Sequence, residues 1–142
     1  MGTRSTITFY SQTDKVVTPI CCIYQMYDGY VKGVGHDLAK WLLKKKLVNG
    51  ISDETDRKGY ANGIGCLIAQ FIRDNKKEIG DLYIVPLGYN KKWVDYNYEV
   101  TIQDDVGSLN DLAIINITNW DEHEVIFSGS PEELLNYNES GE

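Results

Sequence analysis

Two glycine-containing loops are the residues of this chain whose type and spacing best suit binding chemistry. Residues 29–42 read GYVKGVGHDLAKWL, and residues 59–72, thirty positions later, read GYANGIGCLIAQFI. Each copy places Gly-x-Gly at the start of an amphipathic helix, where backbone amides lack partners within the helix and are free to bind an anion. We therefore expect an anion site formed by Lys32, Gly33, Gly35, Asn62, Gly63 and Gly65.

The same glycines have a second interpretation, as packing residues. Gly35 precedes Ala39 by four positions and Gly65 precedes Ala69 by four, so small residues stand about one helical turn apart in both copies. Two helices with such faces are able to cross in close contact. Neither loop ends in the Gly-Lys-Ser/Thr of a P-loop, and neither is a complete dinucleotide fingerprint. Anion binding and helix packing both stay open, separately or together.

Two tyrosines next to the first glycine loop suggest a platform for a nucleobase. Tyr27 and Tyr30 flank the turn at Asp28, so an aromatic ring is available for stacking and a carboxylate for a ribose hydroxyl. The same Asp-Gly pair is also ordinary turn chemistry. Arg4, just before the first predicted strand, either reaches a ligand phosphate or pairs with an acid of the sheet.

His36 and Cys66 occupy the same position in the two copies, immediately after Gly35 and Gly65. A helix N-terminus and a neighbouring imidazole both lower the pKa of a thiol, so the pair has the ingredients of a cysteine nucleophile if the two helix starts meet. His36 is also a candidate ligand-binding residue. The alternative is that Cys66 is a buried small hydrophobic residue.

Hydrophobic periodicity defines the elements that must position these residues. It predicts strands at residues 6–10, 16–24, 82–87, 96–102, 112–118 and 124–127, and helices at residues 36–47 and 63–75. The lysine run at 44–46 would then be exposed at a helix C-terminus, where it complements the helix dipole. Ser130, Pro131 and Glu133 predict a capped terminal helix that ends near residue 137.

The resulting fold class is α+β. The element order ββ-αα-ββββ-α gives a largely antiparallel sheet of about six strands, with two similar glycine-initiated helices packed on it and a short C-terminal helix. Short connections favour an antiparallel meander for the last four strands. We expect one globular domain over residues 1–137 and a disordered tail over residues 138–142.

Charge is distributed unevenly along the chain. Residues 1–80 contain 12 Lys and Arg against 8 Asp and Glu, whereas residues 81–142 contain 2 against 13, for a net charge of -7. A chain this acidic is a poor partner for long nucleic acid, whose binding depends on phosphate neutralisation. A small anion held in the basic half remains compatible with this distribution.

The composition indicates a soluble cytoplasmic protein. The chain is 42% hydrophobic and 25% charged, no apolar run reaches the roughly 18 residues of a spanning helix, and the N-terminus lacks the apolar region of a signal peptide. The three cysteines, two of them adjacent at Cys21 and Cys22, fit no zinc motif and suit a reducing compartment. We expect no cofactor, no metal and no membrane partner.

Several of these residues together resemble a group of short proteins from bacteria, phages and large DNA viruses. The resemblance is carried by Met1-Gly2-Thr3-Arg4-Ser5, Tyr27-Asp28-Gly29-Tyr30 with Gly33 and Gly35, Asn62 through Cys66 with Ala69, and residues 129–135. The group opens with Met-Gly-Thr-Arg, has Asp-Gly-Tyr-Pro with spaced glycines, and has an Asn-Gly-x-Gly-Cys helix start. This chain has Val31 where the group has proline. The resemblance supplies no catalytic residues, but it implies a phage or viral setting in a host cytoplasm.

The sequence therefore predicts a binding protein that captures a small phosphorylated ligand. A nucleotide or cyclic nucleotide immune signal is the ligand suggested by analogy with small phage proteins that sequester such signals. One alternative is a nucleotide or phosphodiester hydrolase that uses Cys66 and His36. The other is a structural or interaction module in which the glycine repeat only packs helices. A homo-oligomer is one form that such a module could take.

Overall fold

The computed structural model describes residues 2–52, 58–89 and 93–138, and it has the expected α+β architecture. The elements are β1 (Ser5–Thr13), β2 (Val16–Gln25), a π-helical turn (Val31–Gly35), α1 (His36–Leu43), β3 (Lys46–Val48), β4 (Tyr60–Asn62), α2 (Ile64–Asn75), β5 (Leu82–Val85), β6 (Tyr96–Gln103), β7 (Gly107–Ser108), α3 (Leu109–Leu112), β8 (Ala113–Asn119), β9 (Glu124–Gly129) and α4 (Pro131–Leu135).

The main sheet has six strands in the order β5-β2-β1-β6-β8-β9. Every neighbouring pair is antiparallel except β1 and β6, which run parallel in a continuous register from Ser5 opposite Tyr96 to Gln12 opposite Gln103. The expected meander of the last four strands is therefore correct only for β6, β8 and β9. β5 lies at the opposite edge beside β2, so the chain crosses the sheet before β6 begins.

The helices cover one face of this sheet. Alternate residues of β1 and β6 enter the core on that side, where Phe9 makes an edge contact with Phe71 of α2 at 5.5 Å between ring centroids. On the other face, Thr6 Oγ1 donates to Asn97 Oδ1 at 2.8 Å, which satisfies two buried polar side chains. The largest fully buried side chains are Ile7, Phe9, Ile23, Leu38, Leu42, Leu47, Leu67, Tyr98, Ile102, Leu109, Ile115 and Ile117.

A second, three-stranded sheet in the order β4-β3-β7 was not predicted. It explains why α1 ends at Leu43 and not near residue 47: Leu47 is buried as a strand residue, with Ala61 as its partner on β4. The expected exposure of the whole lysine run at 44–46 is wrong, because Lys45 is only 7% exposed. β8 likewise begins one residue later than expected, since Leu112 belongs to the short helix α3.

The C-terminal helix has the predicted capping box. Ser130 Oγ accepts from the Glu133 amide at 3.2 Å, and Glu133 Oε1 accepts from the Ser130 amide at 2.9 Å. The helix ends at Leu135, and Tyr137 packs beyond it on Phe127. Of the predicted tail, residues 139–142 lie outside the described residues. Within the described ranges, no helix has the length and hydropathy needed to cross a bilayer.

Candidate functional site

The backbone amides of the first glycine loop donate to carbonyl oxygens of the same loop. The Gly33 amide donates to the Tyr30 carbonyl at 3.0 Å, the Val34 amide to the Asp28 carbonyl at 2.8 Å, and the Gly35 amide to the Tyr30 carbonyl at 3.5 Å. A Cβ on Gly33 would lie 2.2 Å from the Asp28 carbonyl oxygen, so glycine is needed here for close backbone approach. We therefore withdraw the Gly33 and Gly35 amides as anion donors.

The second glycine loop has a different environment. Gly63 has a φ of 90° and precedes α2, whose first turn has no side-chain cap. A Cβ on Gly63 or Gly65 would meet nothing within 4 Å, so neither glycine is needed for packing. Asn62 is exposed, and its Oδ1 accepts from the Gly50 amide at 2.8 Å.

The interpretation of the repeat as a helix-crossing motif is wrong. Gly35 and Ala39 are buried, but Gly65 and Ala69 are exposed, so no helix of the described residues packs against the second small-residue pair. α1 and α2 instead meet through large side chains. The Trp41 and Phe71 rings are 5.1 Å apart, and Trp41 Nε1 donates to Asp74 Oδ2 at 2.9 Å.

The structure does not form the hypothetical Cys66–His36 dyad. His36 Nε2 lies 2.9 Å from the carbonyl oxygen of Tyr137, so its ring is bound to the segment after α4. Cys66 lies partly buried in the first turn of α2. Among the described residues, no hydrogen bond joins the thiol to the imidazole.

Arg4 and Tyr27, by contrast, lie close together in the fold. The N-terminal segment lies along the loop after β2, with the Gly29 amide donating to the Thr3 carbonyl at 2.9 Å. Contact is tight, since a Cβ on Gly2 would lie 2.5 Å from the Tyr27 ring. The result is a recess of about 270 Å³ lined by Gly2, Arg4, Tyr24, Met26 and Tyr27, which we call the Arg4 recess.

Gly2, Tyr24 and Met26 are the residues of this recess that were not predicted from the sequence. Tyr24 lies close to the Arg4 side chain; burial raises the pKa of its phenol, and the arginine partly opposes that rise. Its ring also lies 6.0 Å from Tyr83 and 5.7 Å from Tyr89, so the recess adjoins an aromatic row. The sequence pattern placed Tyr24 in a strand, but a strand pattern does not show that Arg4 lies beside Tyr24.

On the other side of Tyr27 lies a second recess, of about 360 Å³ and opposite charge. It contains three carboxylates and one lysine, and we call it the acidic recess. Its lining is Gln25, Tyr27, Asp28, Val34, Asp37, Asn75, Lys77, Asp81 and Leu82. Among the described residues, no group of three His, Cys, Asp or Glu is arranged to hold a metal ion. The acidic recess therefore suits hydrogen-bond donors such as hydroxyls and amines, and it repels phosphate.

Of the remaining predicted residues, Asp28 lines the acidic recess, Tyr30 contacts Asp28, and Lys32 lies outside both recesses. Asp28 has a φ of 57°, and its Oδ1 accepts from the Tyr30 hydroxyl at 3.3 Å, so Tyr30 orients the carboxylate that lines the acidic recess. Lys32 is exposed on the π-helical turn and lines neither recess. Tyr27 itself is 54% exposed, which leaves its ring accessible to a ligand.

No family model matches this chain, and no curated protein or solved structure matches it. The resemblance to the Met-Gly-Thr-Arg group stays a prediction that rests on the quoted residues.

Proposed function

We propose that this protein binds a small phosphorylated ligand, a nucleotide or cyclic nucleotide, at Tyr27. The observation that carries the proposal is that Arg4, from the segment before β1, lies at one recess with Tyr24 and Tyr27, from the end of β2 and the loop after it. A cation beside aromatic rings suits a ligand that has both an anionic group and a planar base.

Each side of Tyr27 has a distinct role in this proposal. The Arg4 guanidinium, whose planar fork suits phosphate, binds the anionic group. The exposed Tyr27 ring stacks on the base, an interaction worth about 1–3 kcal/mol per base. Asp28 and Gln25 in the acidic recess accept and donate hydrogen bonds to the hydroxyl and amino groups of the nucleoside.

Charge gives the bound ligand its direction. The acidic recess contains Asp28, Asp37 and Asp81 against Lys77, so a phosphate placed there meets net repulsion. The ligand therefore lies with its phosphate toward Arg4 and its nucleoside toward the carboxylates.

Capture without turnover is the form of the proposal that the contacts favour. A hydrolase of the predicted type needs His36 beside Cys66, yet the His36 ring contacts the Tyr137 carbonyl oxygen. Sequestration of a nucleotide signal in an infected host remains the biological setting that we propose by analogy.

The test is a comparison of two variants that each remove one positive charge. We expect AMP, GMP, cyclic AMP or cyclic GMP to raise the melting temperature of the wild-type protein, because binding to the folded state alone stabilises it. Arg4→Gln should weaken that binding at least tenfold, because its guanidinium contacts the phosphate. Lys32→Gln is the control, since Lys32 lines neither recess, and it should leave the shift unchanged. Equal ligand-induced shifts in melting temperature in the two variants would show that Arg4 does not bind the phosphate.

A further inference from the structure

We propose that the nucleotide site described above, on which this inference rests, takes a dinucleotide whose second base stacks on Trp93. Two nucleosides joined by one phosphodiester have a single negative charge between two planar bases. The surface around the Arg4 recess has the same three parts. Arg4 is the cation, and Tyr27 and Trp93 are exposed aromatic residues, at 54% and 60%.

A row of aromatic rings leads from the Arg4 recess to Trp93. Tyr24, which lines the recess, has its ring centre 6.0 Å from that of Tyr83 and 5.7 Å from that of Tyr89. We call these three tyrosines and Trp93 the aromatic row. Residues 90–92, which connect its last two members in the chain, lie outside the described residues. The ring centres are 5.7 Å apart from Tyr24 to Tyr89 and 6.0 Å apart from Tyr89 to Trp93, so the indole is at most 11.7 Å from the Tyr24 ring.

Trp93 is the exposed end of the aromatic row. Its ring and that of Tyr89 are inclined at 85°, which is an edge-to-face contact. In such a contact one ring presents its edge and the other presents one face, so at least one face of the indole is not used by Tyr89. Aromatic faces of this kind are the platforms on which proteins stack the bases of single strands. Trp93 is therefore able to stack on a base.

Tyr83, the other exposed member of the row, is less suited to a base. Lys76 Nζ lies 5.5 Å from the centre of the Tyr83 ring, in a cation–π contact. The same ammonium donates to the Leu82 carbonyl oxygen at 2.9 Å, which holds it in place. A base on that face of Tyr83 would have to displace the lysine, so we assign the second base to Trp93.

The N-terminal segment holds Arg4 between the loop after β2 and the segment before β6. On the first side, the Thr3 carbonyl accepts from the Gly29 amide at 2.9 Å. On the second side, the Asp95 amide donates to the Arg4 carbonyl at 2.9 Å, and Asp95 Oδ2 accepts from the Arg4 amide at 3.0 Å. Arg4 therefore lies between the segment that contains Tyr27 and the segment that contains Trp93.

The position of Trp93 is fixed relative to Arg4. Only Val94 separates Trp93 from Asp95, and Val94 is 3% exposed, so its side chain anchors this segment in the protein interior. The two hydrogen bonds between Asp95 and Arg4 then join the anchored segment to the recess. Because these contacts exist without a ligand, binding would require little ordering of the protein.

This arrangement defines how the ligand is bound. Arg4 binds the phosphodiester, Tyr27 stacks on the first base and Trp93 on the second. The two bases are unable to stack on each other while each stacks on a protein ring, so the dinucleotide is bound in a splayed form, as is usual in single-strand recognition. A mononucleotide contacts Arg4 and Tyr27 and leaves Trp93 without a base.

The experiment measures binding of ApA, two adenosines joined by one 3′,5′-phosphodiester, beside AMP by calorimetry. Trp93→Ala should weaken ApA binding at least tenfold, because stacking on the second base is lost. The same variant should change AMP affinity less than threefold. Val125→Ala is the control, since Val125 is also exposed, at 61%, but lies on β9 at the far edge of the sheet. It should change neither affinity.

Tryptophan fluorescence gives a second readout, because a base stacked on an indole quenches its emission. The chain has three tryptophans, Trp41, Trp93 and Trp120. We expect ApA to quench the wild-type emission more than AMP does. Trp93→Phe keeps an aromatic ring, so it should bind ApA more tightly than Trp93→Ala does, yet the additional quenching should disappear.

The outcomes decide the proposal. Absence of ApA binding, unchanged ApA affinity in Trp93→Ala, or equal weakening of ApA and AMP in that variant would each overturn it. A change in the sedimentation of the free protein on Trp93→Ala would also overturn it, because the indole would then lie between copies of the chain.

Arg4→Gln separates this proposal from the nucleotide site on which it rests. We expect this variant to weaken the binding of both ligands. Arg4-dependent AMP binding together with ApA binding that ignores Trp93 would contradict only the dinucleotide assignment. Trp93-dependent ApA binding together with AMP binding that ignores Arg4 would contradict only the placement of the phosphate at Arg4.

Discussion

Asp74 illustrates how a single carboxylate connects the two main helices. It accepts hydrogen bonds from Arg73 on its own helix and from Trp41 on α1, and it lies near the buried Lys45. The Arg73 hydrogen bond, followed by that of Trp41, holds the pKa of the Asp74 carboxyl below its ordinary value. The folded protein therefore binds this proton less tightly than the unfolded chain does.

The sign of the pH dependence follows from that lowered pKa. The ionised Asp74 stabilises the fold fully above the ordinary carboxyl pKa of about 4, and the stabilisation is lost as the pH falls through the depressed pKa. We expect Asp74→Asn to lower the free energy of unfolding at pH 7, and the deficit relative to wild type to shrink below about pH 4. Urea unfolding of both proteins from pH 7 to pH 3 measures this difference in the free energy of unfolding. A difference that stays constant down to pH 3 would show that the ionised Asp74 does not stabilise the fold.

At the scale of elements, the two copies of the glycine repeat have diverged in what their glycines do. Gly33 is pressed against the Asp28 carbonyl, whereas a Cβ on its counterpart Gly63 would meet nothing within 4 Å. In the second aligned pair, a Cβ on Gly35 would lie 3.3 Å from the Tyr98 ring, while Gly65 faces open space in the first turn of α2. From sequence similarity alone, the two glycines of each aligned pair are expected to have the same structural role. The difference arises because α1 is preceded by a π-helical turn that folds back on the chain, and α2 is preceded by a short strand.

Alanine substitutions at Gly33 of the first copy and Gly65 of the second test this divergence. Gly33→Ala should destabilise the protein by more than about 2 kcal/mol, because the new Cβ would overlap a backbone oxygen that cannot rotate away. Gly65→Ala should be neutral or stabilising by up to about 1 kcal/mol, since alanine is the better helix former and has room. Chemical denaturation of the two variants gives both values. Similar losses at the two positions would mean that both glycines pack.

The strongly periodic elements were predictable from sequence, and the short ones were not. β6 was expected at residues 96–102 and observed at Tyr96–Gln103 because its alternation spans eight residues. β3, β4 and β7 have two or three residues each, too few to show a period. Their pairing is what ends α1 early and buries Lys45, so the burial of that lysine could not be predicted from the sequence.

The candidate ligand site was predictable only as a set of residue types. Arg4 and Tyr27 were identified from their chemistry, but their proximity depends on the β1–β2 register, in which Ser5 stands opposite Gln25. The parallel pairing of β1 with β6 depends on contacts that are far apart in the chain, which local patterns do not encode.

At the scale of the whole molecule, the two recesses beside Tyr27 differ in charge: Arg4 lines one, and carboxylates line the other. Arg4 belongs to residues 1–80, which have a net positive charge, while residues 81–142 have a net negative one. A phosphate is therefore attracted to the Arg4 recess and repelled by the acidic recess beside it.

The measurement that tests the central claim most directly is capture and release of a nucleotide panel. The protein is incubated with nucleotides and cyclic nucleotides, filtered, and then heated, and the filtrate and the released material are separated by chromatography. We predict that one compound disappears from the filtrate and returns chemically intact on heating, and that Arg4→Gln abolishes its retention. A compound that returns altered, or a panel that passes entirely into the filtrate, would contradict the account.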